Sequence, residues 1–337
     1  MGHIILMIYI ETENKNAAFH FSVEEYFMQC SHIDEPVIMI WQADKCAMIG
    51  KNQIAEAEVD IKYAHQNNIQ IVRRSSGGGT IFTDLGTLLY TMILPYEIGL
   101  YPRQTAQEML AESVVSALNE MGVPARQEGR NDITVDGKKI SGIAQYIKTG
   151  RICSHCSLLY DTDLEMLARL LQVDEEKFRS KAIQSVRSRV NNIKSYINIP
   201  LDTLEFWKHL KQILLEQQDV VEYKLSETEL VEIGKIHDEK YANPSWTFGG
   251  SPRFSFRNSR RFAGGKVEVF LDIINGTVEL CSIRGDFLGV TPIRELEKLF
   301  EQKEFQHGAF DRALTGVELY PYLGDITKEQ LLSCVFD

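Results

Sequence analysis

Three consecutive glycines, Gly77-Gly78-Gly79, constrain this chain more than any other feature of its sequence. They follow Arg73-Arg74-Ser75-Ser76, which leaves a strand-like apolar run at residues 69–72, and a second strand-like run begins at Ile81. Glycine loses more backbone entropy on folding than any other residue, so a run of three is kept where side chains would obstruct something. The segment predicts either an anion site, built from backbone N–H groups and the two arginines, or a hairpin tip with solvated arginines.

The glycine segment matches neither common nucleotide fingerprint. A Walker-type phosphate loop needs Gly-Lys-Ser/Thr after its glycines, and a dinucleotide fold needs Gly-x-Gly-x-x-Gly at the start of a helix. Here Thr80 follows the glycines, and a strand is predicted next. If this segment binds a nucleotide, the site belongs to a different architecture.

A second polar segment, residues 129–142, predicts a hairpin, because Asp136-Gly137 favours the left-handed conformations of a two-residue turn. On the returning strand, Ile140 is expected to face the opposite side from Lys139 and Ser141. A lysine held on a sheet near an anion loop can bind a carboxylate and the phosphate that it attacks. The alternative is a solvated surface lysine beside a turn.

Strand and helix patterns alternate along the chain without a strict βαβ rhythm. Strand-like runs lie at residues 37–40, 48–49, 69–72, 88–94, 133–135, 138–147, 152–160, 267–273 and 277–283. Helical patterns lie at residues 60–67 and 104–121, over most of 163–241, after Thr291, and after Thr327 with Gln330 at capping-box spacing. Residues 243–252 contain two prolines and two glycines and are the candidate linker. The patterns predict a large N-terminal domain and a small C-terminal α+β domain.

The two polar segments together carry a resemblance to a known family. Arg-Arg-Ser-Ser-Gly-Gly-Gly-x-x-Phe-x-Asp at residues 73–84, Gly-Arg-Asn-Asp at 129–132 and Gly-x-Lys-Ile-Ser-Gly at 137–142 resemble the motifs of the lipoate-protein ligase family, within the biotin and lipoate ligases. Further matches are Ser185-Val186-Arg187-Ser188-Arg189-Val190 and Asn243-Pro244-x-Trp246. The resemblance runs from about Met7 to the end of the chain.

The resemblance implies an α+β fold with two domains. Residues 1–246 would form a large catalytic domain, a mixed sheet flanked by helices, as in biotin and lipoate ligases. Residues 247–253 would be a linker, and residues 254–337 a small, mobile α+β accessory domain.

It also implies roles for the residues at matching positions. Lys139 is the expected catalytic residue, contacting both the acyl carbonyl and the α-phosphate. The expected nucleotide-binding residues are Arg74, Gly77, Gly78, Gly79, Thr80, Ile81, Phe82, Asn131, Asp132 and Lys139. The expected substrate-binding residues are Arg73, Ser76, Gly78, Lys139, Ser141, Gly142, His155 and Ser157. Asp132 is also the expected Mg²⁺ ligand, directly or through water.

The implied activity is that of an ATP-dependent and Mg²⁺-dependent lipoate-protein ligase without a tightly bound prosthetic group. Lipoate would be adenylated to lipoyl-AMP with release of pyrophosphate, and the lipoyl group would pass to a lysine of a partner. The implied partners are lipoyl domains of 2-oxoacid dehydrogenase complexes and the glycine-cleavage H protein.

Two other functions remain open at this point, and biotin ligases fit less well because their glycine loop is punctuated by arginine. One is an octanoyl or lipoyl transferase of the same fold, which forms a thioester on a cysteine and needs no ATP. The other is a non-catalytic lipoate-binding protein. The Ser-Gly-Gly-Gly loop and Lys139 are both present and favour adenylation.

Three positions depart from the family pattern. Thr83 and Thr87 stand where histidine and asparagine are common, and Cys156 stands where glycine is usual. These differences remove imidazole and amide groups expected around the adenylate and the acceptor lysine. They favour the hypothesis of a specialised paralogue with its own donor or acceptor preference.

Composition excludes several classes of partner. The net charge of −11 disfavours nucleic-acid binding, which depends on a surplus of Lys and Arg. No run approaches the roughly 20 apolar residues of a membrane span, so no membrane association is expected and a cytoplasmic location is the default. Six dispersed cysteines suit reduced thiols. Cys153 and Cys156 have metal-like spacing, but on a strand they would face opposite sides, which argues against a shared zinc site.

Overall fold

The structure is a computed structural model, which describes residues 6–29, 33–96, 103–171, 189–216, 219–248, 256–274 and 276–336. The chain forms two compact units. The first unit comprises Met1–Met48, Val59–Val72 and Ile81–Asn243. The second unit comprises Ile49–Glu58, Arg73–Thr80 and Pro244–Asp337, so the glycine segment is grouped with the C-terminal part of the chain.

The strands are β1 (Met7–Ile10), β2 (Val37–Trp41), β3 (Cys46–Ile49), β4 (Gln70–Arg73), β5 (Ile81–Thr83), β6 (Thr87–Pro95), β7 (Arg126–Glu128), β8 (Asp132–Val135), β9 (Lys138–Lys148), β10 (Arg151–Leu159), β11 (Val220–Glu222), β12 (Phe256–Phe262), β13 (Gly265–Ile274) and β14 (Thr277–Gly285). The helices are α1 (Ala17–Gln29), α2 (Ala55–Glu58), α3 (Ile61–Gln66), α4 (Arg103–Glu120), α5 (Leu164–Leu170), α6 (Thr203–Glu216), α7 (Glu227–Ile236), α8 (Pro244–Phe248), α9 (Ile293–Lys298), α10 (His307–Ala313), α11 (Tyr320–Leu323) and α12 (Lys328–Phe336).

The first unit is built on an eight-stranded mixed sheet in the order β11-β1-β2-β6-β10-β9-β8-β7. The pairs β11-β1 and β1-β2 are parallel, and β2-β6, β6-β10, β10-β9, β9-β8 and β8-β7 are antiparallel. Strands β2 and β10 are buried along their whole length and β6 along nearly all of it, since helices cover both faces. This mixed sheet with flanking helices confirms the expected fold class.

Helices α4 and α6 cover one face of the large sheet. The predicted stripe of α4, represented by Leu110 and Val114, is buried in the core, as is Phe206 on α6. The ring of Phe206 stacks on that of Tyr160, with centroids 3.9 Å apart. Burying each such apolar side chain contributes on the order of 2 kcal/mol.

Helix α1 covers the opposite face, against β6 and β10. Its buried side chains include the polar residues His20, Glu24 and Glu25. These polar residues interrupt the apolar pattern, so the sequence analysis did not predict this helix. Strand β11 and strand β12 were also missed, because one is very short and the other is mostly polar.

Strands β4 and β5, which precede and follow the glycine segment in the sequence, belong to a small three-stranded sheet in the order β4-β3-β5. The chain leaves β4 at Arg73 and enters β5 at Ile81, as the sequence predicted. Strand β5 pairs with β3 through Phe82 opposite Ala47, and both side chains are fully buried. The glycine segment therefore joins two strands, and no helix begins at its end.

The C-terminal part of the second unit is an antiparallel meander, β12-β13-β14, packed against helices. The predicted hairpin between β13 and β14 is present, with Gly276 at φ +77°. The predicted capping box of α12 is also present, through reciprocal hydrogen bonds between Thr327 and Gln330. Helix α9 begins one residue later than expected, with Pro292 at its N-cap. In the part of the chain that the structure describes, no helix combines the length and the apolar character needed to cross a membrane.

Candidate active site

Lys139 lies at the start of β9, immediately after a two-residue turn. Asp136 and Gly137 take left-handed conformations, with φ +51° and +71°, as the Asp-Gly dipeptide predicted. The turn returns β9 along β8 and brings the Lys139 Nζ to 2.7 Å from Asp132 Oδ1. Both side chains are a little over one third exposed, at 37% and 38%. The sheet therefore presents an ammonium group, held by a carboxylate, that a ligand can reach.

A β-bulge beside Lys139 changes which side chains share its face. In the β8-β9 pair, Thr134 faces Lys139 and Ile133 faces Ser141, which leaves Ile140 as the extra residue. Ser141 lies opposite Leu158 of the core. The expectation that Ser141 shares a face with Lys139 is therefore wrong, because the bulge interrupts the alternation of the strand. Ser141 is 1% exposed and belongs to the core side of the sheet, away from the lysine amine.

Gly142 lets the lysine side chain lie flat on the sheet. A Cβ atom at Gly142 would be 2.8 Å from the Lys139 Nζ and 2.9 Å from its Cε. The segment before β8 is fixed by Asn131, whose backbone carbonyl accepts from Ile143 N–H and whose Nδ2 donates to the Ile143 carbonyl. The amine of Lys139 is thus positioned by the glycine beneath it and by Asp132 beside it.

The end of another matching motif reaches the same lysine. Lys139 forms a parallel bridge with Val190, and its carbonyl accepts a hydrogen bond from Asn191 N–H at 3.0 Å. Residues 185–188 of the motif Ser185-Val186-Arg187-Ser188-Arg189-Val190 lie outside the described residues. The last residue of that motif is therefore a backbone neighbour of the expected catalytic lysine.

Strand β10 continues this face of the sheet away from Lys139. Ser157 lies opposite Gly142 in the register, and His155 lies opposite Ala144. Ser157 and His155, which are among the expected substrate-binding residues, are each 7% exposed. Alternate residues of a strand share one face, so Gly142, Ser157 and His155 follow one another on the side that carries the lysine amine.

His155 is held by a buried carboxylate that the sequence analysis missed. Its Nδ1 lies 3.2 Å from both carboxylate oxygens of Glu24 on α1. Glu24 also accepts a hydrogen bond from Thr91 Oγ1 at 2.6 Å. Cys153 belongs to the same buried group, and its pKa is raised well above the usual value by burial. Glu24 and Glu25 are two adjacent acidic residues within a largely apolar segment, and this pattern could have indicated a buried functional carboxylate.

Cys153 and Cys156 face opposite sides of β10, as predicted. Cys156 lies opposite Tyr90 and Ile143 and belongs to the core under α4. Burial raises the pKa of the Cys156 thiol to about 12, so this thiol stays protonated at neutral pH.

Within the second unit, Gly77 and Gly78 are buried and Gly79 is exposed. A Cβ atom at Gly77 would be 2.7 Å from the Phe287 carbonyl oxygen, and Gly78, at φ +89°, donates its N–H to the same oxygen at 3.3 Å. Gly50 lies against it on another side, where a Cβ atom would be 2.0 Å from the Gly78 carbonyl oxygen. Close backbone approach therefore requires a glycine at position 77, and the positive φ favours one at position 78, so a solvated hairpin tip does not describe these two residues. A Cβ atom at Gly79 would meet only the Asp286 Cβ, at 4.0 Å.

The two arginines of this segment are buried, each only 4% exposed. Arg74 folds back on the segment, donating to Ser76 Oγ and to the carbonyls of Gly77 and Gly79. Arg73 donates to backbone carbonyls of residues 50, 51, 53, 246 and 247. Of the two alternatives drawn from the sequence, the one with solvated arginines is therefore wrong. The contacts of Arg73 also do not agree with its assignment to the substrate.

The departures at Thr83 and Thr87 flank a turn, residues 84–86, that follows the glycine segment in the sequence. Asp84 organises this turn, accepting from Gly86 N–H at 2.9 Å and from Asp163 N–H at 2.9 Å. Thr87 Oγ1 lies 2.7 Å from Thr162 Oγ1, so its hydroxyl is used inside the fold. Both threonines are fully buried.

The sequence comparisons define the class of protein to which this fold and lysine belong. The family profile described as the lipoyl protein ligase A/B catalytic domain matches residues 16–215. A second profile, the bacterial lipoate protein ligase C-terminus, matches residues 251–335. The lipoate-protein ligase LplJ of Bacillus subtilis is 36% identical over 334 residues, which cover 98% of this chain and 100% of that protein. Lipoate-protein ligase 1 of Staphylococcus aureus is 33% identical, covering 97% and 99%.

Solved structures agree with these relatives. LipL1 of Plasmodium falciparum, solved in complex with lipoate, superposes with a TM-score of 0.74 at 21% identity and 94% coverage of both chains, which shows the shared fold. The bipartite lipoate protein ligase of Thermoplasma acidophilum, described with its E2 lipoyl domain, superposes with a TM-score of 0.65 at 28% identity, covering 75% of this chain and all of that one. The chain belongs to the lipoate-protein ligase family, which is a family of enzymes, and the resemblance drawn from its motifs is confirmed.

Proposed function

We propose that this protein is an ATP-dependent lipoate-protein ligase that works in two steps at one site. Lipoate and ATP give lipoyl-AMP and pyrophosphate, and a lysine amine of an acceptor protein then attacks the acyl carbonyl and displaces AMP. The observation that carries the proposal is the Lys139 ammonium, held 2.7 Å from Asp132 over Gly142 at an accessible end of the sheet.

Lys139 would bind the lipoate carboxylate and the α-phosphate that it attacks. Both groups are anionic, so a fixed ammonium lowers their repulsion in the first step. Negative charge also develops on the acyl carbonyl in the second step, where the same ammonium stabilises it. A preorganised charge of this kind needs no rearrangement at the moment of reaction, and Asp132 and Gly142 provide the preorganisation.

The acyl chain of lipoate would extend along β10. A chain whose carboxylate lies at Lys139 would pass Ser157 and then His155, because these residues follow Gly142 on the same face. Each methylene removed from water on such a buried face contributes about 0.8 kcal/mol. We therefore propose that Ser157 and His155 line the site of the acyl chain. Separately, we propose that Gly77-Gly78-Gly79 binds the nucleotide.

Asp132 would hold Mg²⁺ directly or through water. Mg²⁺ in nucleotide sites usually takes one or two protein carboxylates together with phosphate oxygens, and the 38% exposed Asp132 side chain fits that donor set. The bound cation would supply charge neutralisation at the phosphates of ATP.

The acceptor would be a lipoyl domain of a 2-oxoacid dehydrogenase complex or the glycine-cleavage H protein, and the reaction would take place in the cytoplasm. The acceptor supplies the nucleophilic amine, so no side chain of this chain needs to form a covalent intermediate.

The thiols of the described residues speak against the transferase alternative. Cys46, Cys153, Cys156, Cys281 and Cys334 are all buried, and burial raises the pKa of each. A thioester intermediate requires a reachable thiolate. No described cysteine meets that requirement.

An assay with lipoate, Mg-ATP and a lipoyl domain tests the proposal. Pyrophosphate release and acceptor mass are recorded in the same reaction, and we expect both one lipoyl addition and stoichiometric pyrophosphate. Acylation without pyrophosphate would indicate a transferase, and the absence of both signals with bound lipoate would indicate a binding protein. Parallel rates with octanoate and with several acceptor domains test the specialised paralogue.

A further inference from the structure

The buried guanidinium of Arg73 donates to five backbone carbonyls that belong to two chain segments. Its Nη1 donates to the carbonyls of Gly50, Lys51 and Gln53 at 2.9, 3.1 and 2.6 Å. Its Nε and Nη2 donate to the carbonyl of Thr247, at 3.2 and 2.6 Å, and Nε also donates to that of Trp246, at 3.0 Å. Only the planar fork of a guanidinium can serve two chain segments in this way.

The first of these segments supports the glycine segment directly. Lys51 N–H donates to the Ser76 carbonyl at 2.8 Å, and the Gln53 side chain accepts from Thr80 Oγ1 at 2.9 Å. Gly50 is in backbone contact with Gly78, since a Cβ atom there would be 2.0 Å from the Gly78 carbonyl oxygen. Residues 50–53 therefore touch the glycine segment near its start, its middle and its end.

The second segment is α8, and its contact with Arg73 is reciprocal. Trp246 Nε1 donates to the Arg73 carbonyl at 2.8 Å, while the Arg73 guanidinium donates to the carbonyls of Trp246 and Thr247. Thr247 is 3% exposed, so water does not compete freely for these groups. A buried charge held by so many carbonyls is costly to disturb.

We infer that Arg73 is a positioning residue that fixes the glycine segment in the shape that binds the nucleotide, by tying it to residues 50–53 and to Trp246-Thr247. This inference rests on the proposed function, because it assumes that the glycine segment binds ATP. Arg73 itself contacts neither ATP nor lipoate. A small displacement of groups that orient a substrate can lower the rate of its reaction by about 100-fold. Loss of the Arg73 hydrogen bonds should therefore affect ATP binding more than lipoate binding.

Arg151 provides a matched control. It is also a buried arginine, 6% exposed, and it donates to the carbonyls of Phe27, Ile33 and Glu35. Arg151 lies on β10 in the first unit, and its three carbonyl partners also belong to the first unit. The glycine segment belongs to the second unit. Arg151→Lys therefore reproduces the general cost of replacing a buried, carbonyl-bound guanidinium.

The test measures the ATP dissociation constant, the KM for ATP, the KM for lipoate and the melting temperature of Arg73→Lys and Arg151→Lys. We expect both variants to melt earlier. Only Arg73→Lys should raise the ATP dissociation constant and KM by roughly 10-fold or more, with the KM for lipoate changed far less. An ATP dissociation constant within twofold of wild type in a folded Arg73→Lys protein would overturn the inference.

A milder variant decides the matter if Arg73→Lys does not fold. Trp246→Phe keeps an aromatic ring but removes the Nε1–H group, which donates to the Arg73 carbonyl. One hydrogen bond between α8 and Arg73 is lost, while the guanidinium stays in place. We expect weaker ATP binding by about threefold to tenfold, and unchanged ATP binding would overturn the inference. Wild-type protein that binds no ATP would overturn the proposed function and the inference together, whereas wild-type binding with unaltered variants overturns the inference alone.

Discussion

The two motif regions use their cationic side chains in opposite ways. Near the glycines, Arg73 and Arg74 are each 4% exposed and their guanidinium groups are engaged by backbone carbonyls. On β9, Lys139 is 37% exposed and its ammonium meets a carboxylate beside a glycine. The arginines shape a loop, whereas the lysine can meet a ligand. An arginine next to a glycine-rich segment in the sequence can therefore serve the backbone of that segment and not a ligand.

Replacing Lys139 should have the largest effect. We expect Lys139→Ala to slow lipoyl-AMP formation by about 100- to 1,000-fold, the range found when one preorganised donor to a developing charge is removed. Pyrophosphate release with lipoate and ATP measures it. Lys138→Ala, at the neighbouring position beside the turn, is the control and should remain close to wild type. Near-normal turnover of Lys139→Ala would contradict the contrast between the two regions.

Asp132→Asn should raise the Mg²⁺ concentration needed for half-maximal rate by about 10-fold, because a neutral amide is a weaker ligand for a hard cation. A Mg²⁺ titration at saturating ATP gives the value. Asp136→Asn is the matched control, since Asn-Gly also supports the left-handed turn and keeps the same hairpin. An unshifted titration would remove Asp132 as a metal ligand and leave it as the partner of Lys139.

Gly78→Ala should raise the KM for ATP by roughly 10-fold. Gly78 takes φ +89°, and a Cβ atom there would be 3.0 Å from the Leu288 side chain and 3.1 Å from Arg74 Nη2. Gly150→Ala is the control, because Gly150 has φ +71° with nothing within 4 Å of its Cβ position. Both variants should lose about 1 kcal/mol of unfolding free energy from left-handed strain, and only Gly78→Ala should raise the KM for ATP. Equal effects on that KM would contradict a specific role of the loop.

Cys156→Ala should have the smallest effect. The side chain is fully buried and its raised pKa keeps it protonated, so we expect a stability loss of about 1 kcal/mol from the small cavity and little change in acylation. Thermal melting and the acylation rate measure the two quantities. A thioester on the wild-type enzyme that disappears in this variant would replace the adenylation route by a transferase route.

Local patterns predicted much of the fold. The Asp136-Gly137 turn, the apolar stripe of α4 and the strand that follows the glycines are all present, because each depends on short-range spacing or on glycine conformation. Helix α1 was not predicted, since its buried face carries His20, Glu24 and Glu25. The partners of Glu24, Thr91 and His155, are distant in the sequence, so its burial could not be read from the local pattern.

The sequence motifs identified the main candidate residues of the site but not the contacts of every one of them. The motifs indicated Lys139, Asp132 and the three glycines, and the structure places Lys139 on β9 beside Asp132 on β8. The face of Ser141 could not be predicted, because it depends on a bulge that only strand pairing creates. The contacts of Arg73 could not be predicted either, since its carbonyl partners lie 20 to 174 residues away in the sequence.

The measurement that most directly tests this account is a single-turnover reaction of enzyme with lipoate and Mg-ATP in the absence of any acceptor. Quenched samples are analysed for lipoyl-AMP and pyrophosphate. We predict that wild type forms about one lipoyl-AMP per active site, with an equal amount of pyrophosphate, and that Lys139→Ala forms almost none in the same time. Formation of neither product by the wild-type enzyme until an acceptor is added would contradict adenylation at Lys139 as the first step.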